Sequence, residues 1–297
     1  MNVRPVARED APLVAALARA DEEALRGRPS HVGADEVASW WEGADLEHDS
    51  WLFEEGGDVV AVGWFRPWGD IGSCVGIVAQ GAKGRGHGLM LIERAEAAAT
   101  RHAVVRLHGF ALADDADAMK LFRARGYREV RRFYEMAIEL ETEPVVPELP
   151  APLVLEPFRE GEERAFHHAT HESFQDHWEW SGLPFDEWWA MRQGQHRDEH
   201  GPLWFVIRDG DEIAAVARNE ARAAGGYVGL LGVRRPWRGR GLAKALLYRT
   251  FAEFWQRGLT RVTLGVDAES PTGATKLYES VGMTVESANV VFEKAAP

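Results

Sequence analysis

The chain has 297 residues, 45% of them hydrophobic, a formal net charge of −13 and a single cysteine, Cys74. That length predicts two domains, and that composition predicts globular cores. The acidic balance argues against nucleic acid, since a phosphate backbone needs a basic surface, and one cysteine excludes a disulfide framework. The opening "MNVRPVARED" carries no apolar leader, and no run approaches the roughly 18 apolar residues of a membrane span. The expectation is a soluble cytoplasmic protein, monomer or homodimer, with no membrane partner.

In chain order, a short strand at residues 3–6 precedes a helix with Leu13, Ala16, Leu17 and Ala20 at helical spacing. A hairpin with the turn "EEGGD" follows, then the strand "CVGIVA", a basic glycine turn "QGAKGRGHG" and a helix. A strand, the helix "AMKLFRARGY" and a closing strand come next. "ETEPVVPELPAP" holds four prolines in twelve residues, which marks a linker at 141–152. The same order then returns. A strand at 153–158 leads to a helix with Phe166, Ala169 and Phe174, and the next hairpin turns at "RDGD". The strand "YVGLLGV" runs into "RRPWRGRGLAKALL" and a helix over residues 242–256, with Gly258 as its C-cap. "RVTLGV", "ATKLYESV" and a closing strand pair complete the chain. The fold class is α/β, an α+β mixed and largely antiparallel sheet in each of two tandem domains, 1–140 and 153–297.

The halves align on each other. Val3 matches Leu155, Trp51 matches Trp204, Lys83 matches Arg238, and Ala118 matches Ala274, with offsets that drift only from 152 to 156. A unit of roughly 145 residues has been duplicated.

A strand that ends in a glycine turn and opens a helix gathers unpaired N–H groups at the positive end of a helix dipole. Gly239 and Gly241 admit close approach of a ligand, Ala243 keeps the first helical turn small, and Arg238 and Arg240 add charge. The pattern is a phosphate or pyrophosphate cradle. It is neither a P-loop, lacking Gly-Lys-Ser/Thr, nor the dinucleotide fingerprint, because position 244 is Lys244.

About thirty residues downstream stands "VDAESPTGATKLYESVGM". The turn and this segment together resemble the GNAT acetyltransferase superfamily. Its pyrophosphate motif is represented by Arg238, Gly241 and Ala243, and its later signature by Ala274, Leu277, Tyr278, Gly282 and Met283. The family's Asn position is Pro271, and Ser270 beside it is the candidate substitute. The resemblance implies acetyl-CoA as co-substrate and a small-molecule amine as acceptor. Leu231, Gly232 and Val233 would run along pantetheine, the turn Arg238, Gly239, Arg240, Gly241, Leu242 and Ala243 would hold pyrophosphate, and Ser270 and Ala274 would complete the site. Tyr278 would protonate the departing thiolate as general acid.

The two halves are unequal. Phe122 stands where Tyr278 stands in the second copy, and Lys83 replaces Arg238, losing the guanidinium fork. Asp114, Asp115 and Asp117 occupy the stretch that holds Ser270, Pro271 and Gly273. Gly84, Gly86 and Gly88 persist, so Val78, Lys83, Gly84, Arg85, Gly86 and Gly88 form a possible second CoA site. The expectation is a catalytic second domain and a degenerate first one.

The acceptor's base is open. The fourth strand offers no Glu, with Tyr227 near that position, which leaves Glu172 and His177 as candidates. The segment 171–200 combines acidic residues with Trp178, Trp180, Trp188 and Trp189. Two readings stand: a wall for a cationic amine, by charge and cation–π contact, or packing between domains. His167 and His171 share a helix face without a HExxH frame, so no metal is expected. A non-catalytic acyl-CoA-binding or sensor protein is the reading from another class, and a protein N-terminus is a further candidate acceptor.

Overall fold

The computed structural model describes residues 1–180 and 182–297. Ser181, inside the acceptor-side segment 171–200, lies outside the described residues. The chain divides into two compact units, one of residues 1–133 with 287–297, the other of residues 134–286.

The first unit begins with β1 (Asn2–Arg4), α1 (Ala11–Arg26), α2 (Ala34–Trp40) and α3 (Leu46–Asp49). A meander of β2 (Ser50–Glu55), β3 (Asp58–Trp68) and β4 (Ile71–Val78) follows. Then come α4 (His87–Arg101), β5 (Arg106–Leu112), α5 (Ala116–Ala124) and the start of β6 (Arg128–Glu139). β1 to β4 pair antiparallel in sequence, and β4 pairs parallel with β5. The buried stripe of α1 is Ala11, Val14, Ala15 and Ala18, while Leu13 is 43% exposed. The expected face led by Leu13 is therefore corrected. Both stripes have helical spacing in this alanine-rich segment, and the one of smaller side chains lies in the core with Leu52 and Val62.

The second unit carries β7 (Leu153–Pro157), α6 (Glu163–Phe174), α7 (Phe185–Arg192) and a small ladder of β8 (Arg197–Asp198) with β9 (Gly201–Pro202). β10 (Trp204–Asp209), β11 (Glu212–Arg222) and β12 (Gly225–Val233) form its meander. α8 (Leu242–Gln256), β13 (Arg261–Asp267), α9 (Ala274–Glu279) and the start of β14 (Thr284–Ala295) complete it. β12 and β13 are parallel, so the mixed sheet expected from sequence recurs in both units.

Each unit takes its last strand from the other half of the chain. β14 pairs antiparallel with β5 from Asn289↔Leu112 to Ala295↔Arg106. Phe292, fully buried, stacks on Phe122 with ring centroids 5.1 Å apart. In the second unit β6 lies beside β13. There Leu140 N–H donates to the Thr260 carbonyl at 2.7 Å, and Arg261 bridges Glu139 and Glu286. The sequence-based boundaries 1–140 and 153–297 follow the duplication, whereas the compact units follow this exchange.

Candidate functional site

Among the described residues, β12 pairs with β13 at Gly226↔Val262 and Tyr227↔Thr263. Beyond Tyr227 the two strands part, which leaves β12 residues 228–233 without a strand partner on that side among the described residues. Register against β11 also changes here: Arg218 faces Leu230 while Asn219 faces Val228. Gly229 is thus an extra residue, a β-bulge, which bends and twists its strand.

The glycine turn lies just beyond this opening. Gly239 and Gly241 have φ of 75° and 78°, a left-handed conformation that costs a residue with a Cβ roughly 1–2 kcal/mol. Gly241 is the N-cap of α8. Among the described residues, the amides of residues 239–244 donate to no group of the chain, and the first bond of this stretch is Ala245 N–H to Gly241 O at 3.1 Å. Six unpaired donors at the N-terminus of a 15-residue helix make a preformed anion cradle.

The arginines around the turn are committed elsewhere. Arg238 donates through Nε to Val233 O at 3.1 Å, through Nη1 to Asp176 at 2.8 Å and through Nη2 to Ser173 O at 3.0 Å. It ties the end of α6 to the end of β12. Arg235 also bonds Asp176, whose carboxyl is held well below the usual range by Arg235 first and Arg238 second. Arg234 pairs with Glu172 at 2.7 Å and Glu212 at 3.0 Å, and Arg240 lies 3.8 Å from Asp209. What the turn itself offers an anion is therefore its amides and the helix dipole more than free guanidinium charge.

Tyr278, on α9, belongs to the core and is 8% exposed. Burial pushes its phenol upward in pKa, and neighbouring Tyr227 adds to that. Among the described residues its hydroxyl bonds to no group of the chain. The Tyr227 hydroxyl lies 3.8 Å from where a Cβ on exposed Gly265 would stand, so it faces β13 where the strands part. Ser270, next to α9, bonds Thr272 through its hydroxyl at 2.9 Å. Leu231 and Val233 are half-buried on β12, and α6 packs directly on Gly232, where a Cβ would meet Ser173 at 2.8 Å.

On the acceptor side the segment 171–200 is mostly spoken for. Trp188 is buried and packs with Phe166 and Trp204. Trp180 donates to His171 at 3.3 Å. His177 lies against Phe174, rings 4.4 Å apart. Glu172 and Asp176 are in the ion pairs given above.

The first unit repeats the turn. Gly84 and Gly86 have φ of 75° and 90°, and the amides of residues 84–89 are likewise without partners among the described residues. Lys83 Nζ reaches Asp21 at 2.8 Å and Asp115 at 2.9 Å, where Asp115 also caps α5 through Ala118 N–H. The neighbouring strands differ from their counterparts. β4 pairs one-to-one with β3 along its whole length, without a bulge, and follows β5 as far as Cys74↔Gly109. The Phe122 ring lies on Gly109, where a Cβ would meet it at 2.3 Å.

Sequence reasoning missed the bulge and the arginine ion pairs. The bulge left a faint signal: the strand starts Ile71 and Gly225 are offset by 154 and the turn residues Lys83 and Arg238 by 155, a difference of one residue.

The sequence profile of the Acetyltransferase (GNAT) family matches residues 15–127 and again 159–283. A mycothiol acetyltransferase of Thermobispora bispora is 29% identical over 99% of this chain and 100% of its own. One of Thermomonospora curvata is 30% identical over 74% and 73%. Among solved structures, a GCN5-related N-acetyltransferase from Sphaerobacter thermophilus superposes with a TM-score of 0.86, at 33% identity, over 99% of this chain and 95% of that one. A tandem GNAT protein from the clavulanic acid biosynthesis pathway shares the fold at 17% identity, with a TM-score of 0.76 over 100% and 98%. The chain belongs to the acetyltransferase (GNAT) family, as a tandem-domain acyltransferase.

Proposed function

We propose that residues 134–286 move the acetyl group of acetyl-CoA to a primary amine of a small acceptor within a ternary complex. The observation that carries this reading is the joint placement of the parts. A cradle of six unpaired amides lies at one end of the opening between β12 and β13, and Tyr227 and Tyr278 lie at the other. Pyrophosphate would sit at residues 239–244, pantetheine along Leu231 and Val233, and the thioester beside Tyr278.

The neutral amine nitrogen attacks the thioester carbonyl, the carbon–sulfur bond breaks, the nitrogen gives up a proton to a base or to water, and the thiolate takes the Tyr278 proton. Burial keeps the phenol protonated at neutral pH, so Tyr278 still holds a proton to give when the modestly basic thiolate departs. The phenolate then recovers a proton from solvent. Of the two candidate bases for the amine, Glu172 is tied to Arg234 at 2.7 Å and is the weaker. With Glu172 and Asp176 paired, charge no longer favours a cationic acceptor, and the names of the relatives make des-acetyl mycothiol the first amine to try.

The test is thiol release from acetyl-CoA across des-acetyl mycothiol, aminoglycosides and peptide N-termini. The expected result is amine-dependent release with at least one of them. Acetyl-CoA binding without release for any amine would favour the acyl-CoA sensor instead.

A further inference from the structure

A bulge takes one residue out of the ladder, and that residue's carbonyl needs another donor. At Gly229 the donor is Arg218, whose Nη2 reaches the carbonyl at 3.3 Å. Arg218 is itself held, with Nη1 on Glu220 Oε1 at 2.8 Å. The other oxygen, Glu220 Oε2, accepts from Arg222 Nε at 3.0 Å and Nη2 at 2.7 Å. The Arg222 guanidinium lies over the Tyr227 ring, 3.6 Å from its centroid. Residues 218, 220 and 222 alternate along one strand, and the chain of contacts runs from the bulge to the last residue of β12 that still pairs with β13.

Two observations make this network specific to the opening. A Cβ on Gly229 would stand 3.2 Å from both Arg218 Nη2 and Glu220 Oε1, so the ion pair lies directly against the bulge. The first unit has neither the bulge nor an arginine on a carbonyl of β4 among its described hydrogen bonds. Burial raises the Glu220 carboxyl's pKa, but Arg222 and then Arg218 more than reverse it, so the carboxylate stays charged between them.

We propose that Arg218 is a positioning residue of the transferase: by holding the Gly229 carbonyl it fixes the bulge, and so sets which backbone groups of β12 face the thioester. The proposal rests on the reading of acetyl transfer between β12 and β13. The guanidinium is suited to the task because one planar group reaches Glu220 and a carbonyl together, which an ammonium on a flexible stem does poorly.

The test uses the full chain and acetyl-CoA labelled with 13C at the thioester carbonyl. It reads the bound carbonyl resonance together with kcat and KM for whichever amine is turned over. In Arg218→Met the bound resonance is expected to move toward that of unbound acetyl-CoA. The same change should lower kcat about tenfold or more, by analogy with losing one placed backbone donor. KM for acetyl-CoA should stay within about threefold, because the cradle is untouched. Arg218→Lys should move both readouts the same way by less, and it carries the test if Arg218→Met does not fold. A folded Arg218→Met with an unshifted resonance and unchanged kcat overturns the proposal. If the unaltered chain binds no acetyl-CoA, the acetyl-transfer reading fails at its root. A shifted resonance without thiol release for any amine would support Arg218's role while removing the transferase reading.

Discussion

The two glycine turns share a backbone, and the strands beside them do not. Gly84 and Gly239 have the same φ of 75°, and among the described residues the first amides of both turns have no partner. β12 then carries a bulge and parts from β13 early, whereas β4 is regular and Phe122 fills the space over Gly109. Counted from Arg106 and Arg261, which open β5 and β13, Gly109 corresponds to Leu264, whose own side chain is buried in the second unit's core. A turn with amides free to meet an anion is thus a property of the local chain. A place for a thioester needs the neighbouring sheet as well.

The largest effect should come from the strand exchange. Phe292→Ala removes a fully buried ring from the first unit, at a cost of about 3–5 kcal/mol. Cys74 reports it: the thiol is buried, and its pKa is pushed up to about 12 by burial. Alkylation at neutral pH should be slow in the unaltered chain and fast in the variant. Equal rates would mean that β14 adds little to that unit.

Tyr278→Phe comes next. With the acid removed, kcat is expected to fall about 100-fold, within the range of general acid catalysis, while acetyl-CoA binding holds. The reciprocal Phe122→Tyr should gain no turnover, since that ring is packed on Gly109. Turnover surviving Tyr278→Phe would take the assignment of the acid away.

The turns can be separated in the same way. Gly241→Val forces a β-branched residue to φ of 78° and should weaken acetyl-CoA binding about tenfold, the scale of 1–2 kcal/mol of backbone strain. Gly86→Val, at φ of 90°, should leave kcat and KM unchanged. Equal loss from both substitutions would mean that both cradles serve the reaction.

The smallest effect concerns acid. Asp176 is held below the usual carboxylate range by Arg235 and Arg238. Its contribution is therefore present above the ordinary value of 3.8 and fades as pH falls through the lower folded value. The carboxyl is only partly buried and open to solvent screening, so the contribution is modest. Denaturation midpoints of Asp176→Asn should depend less on pH below 4 than those of the unaltered chain, and parallel curves would remove Asp176 as a latch on the turn.

Much of this was legible in the sequence. The duplication, the mixed sheet, the glycine turns and the Tyr278/Phe122 difference follow from residue types at fixed spacing, and these act locally. The strand exchange was not legible, because the apolar run "VVF" marks a buried strand and says nothing about which half supplies its partner. The ion pairs of Arg238 were hidden for a related reason: its partners, Ser173 and Asp176, come from a segment more than sixty residues earlier. The buried stripe of α1 went astray because alanines satisfy helical spacing on two faces at once.

Which opening holds the acetyl group is the central question. A crystal structure with acetyl-CoA answers it most directly. The expected result places the thioester between β12 and β13, with its sulfur roughly 3–3.5 Å from the Tyr278 hydroxyl, within reach of proton transfer. An acetyl group ordered beside Phe122 in the first unit, with none beside Tyr278, would contradict it.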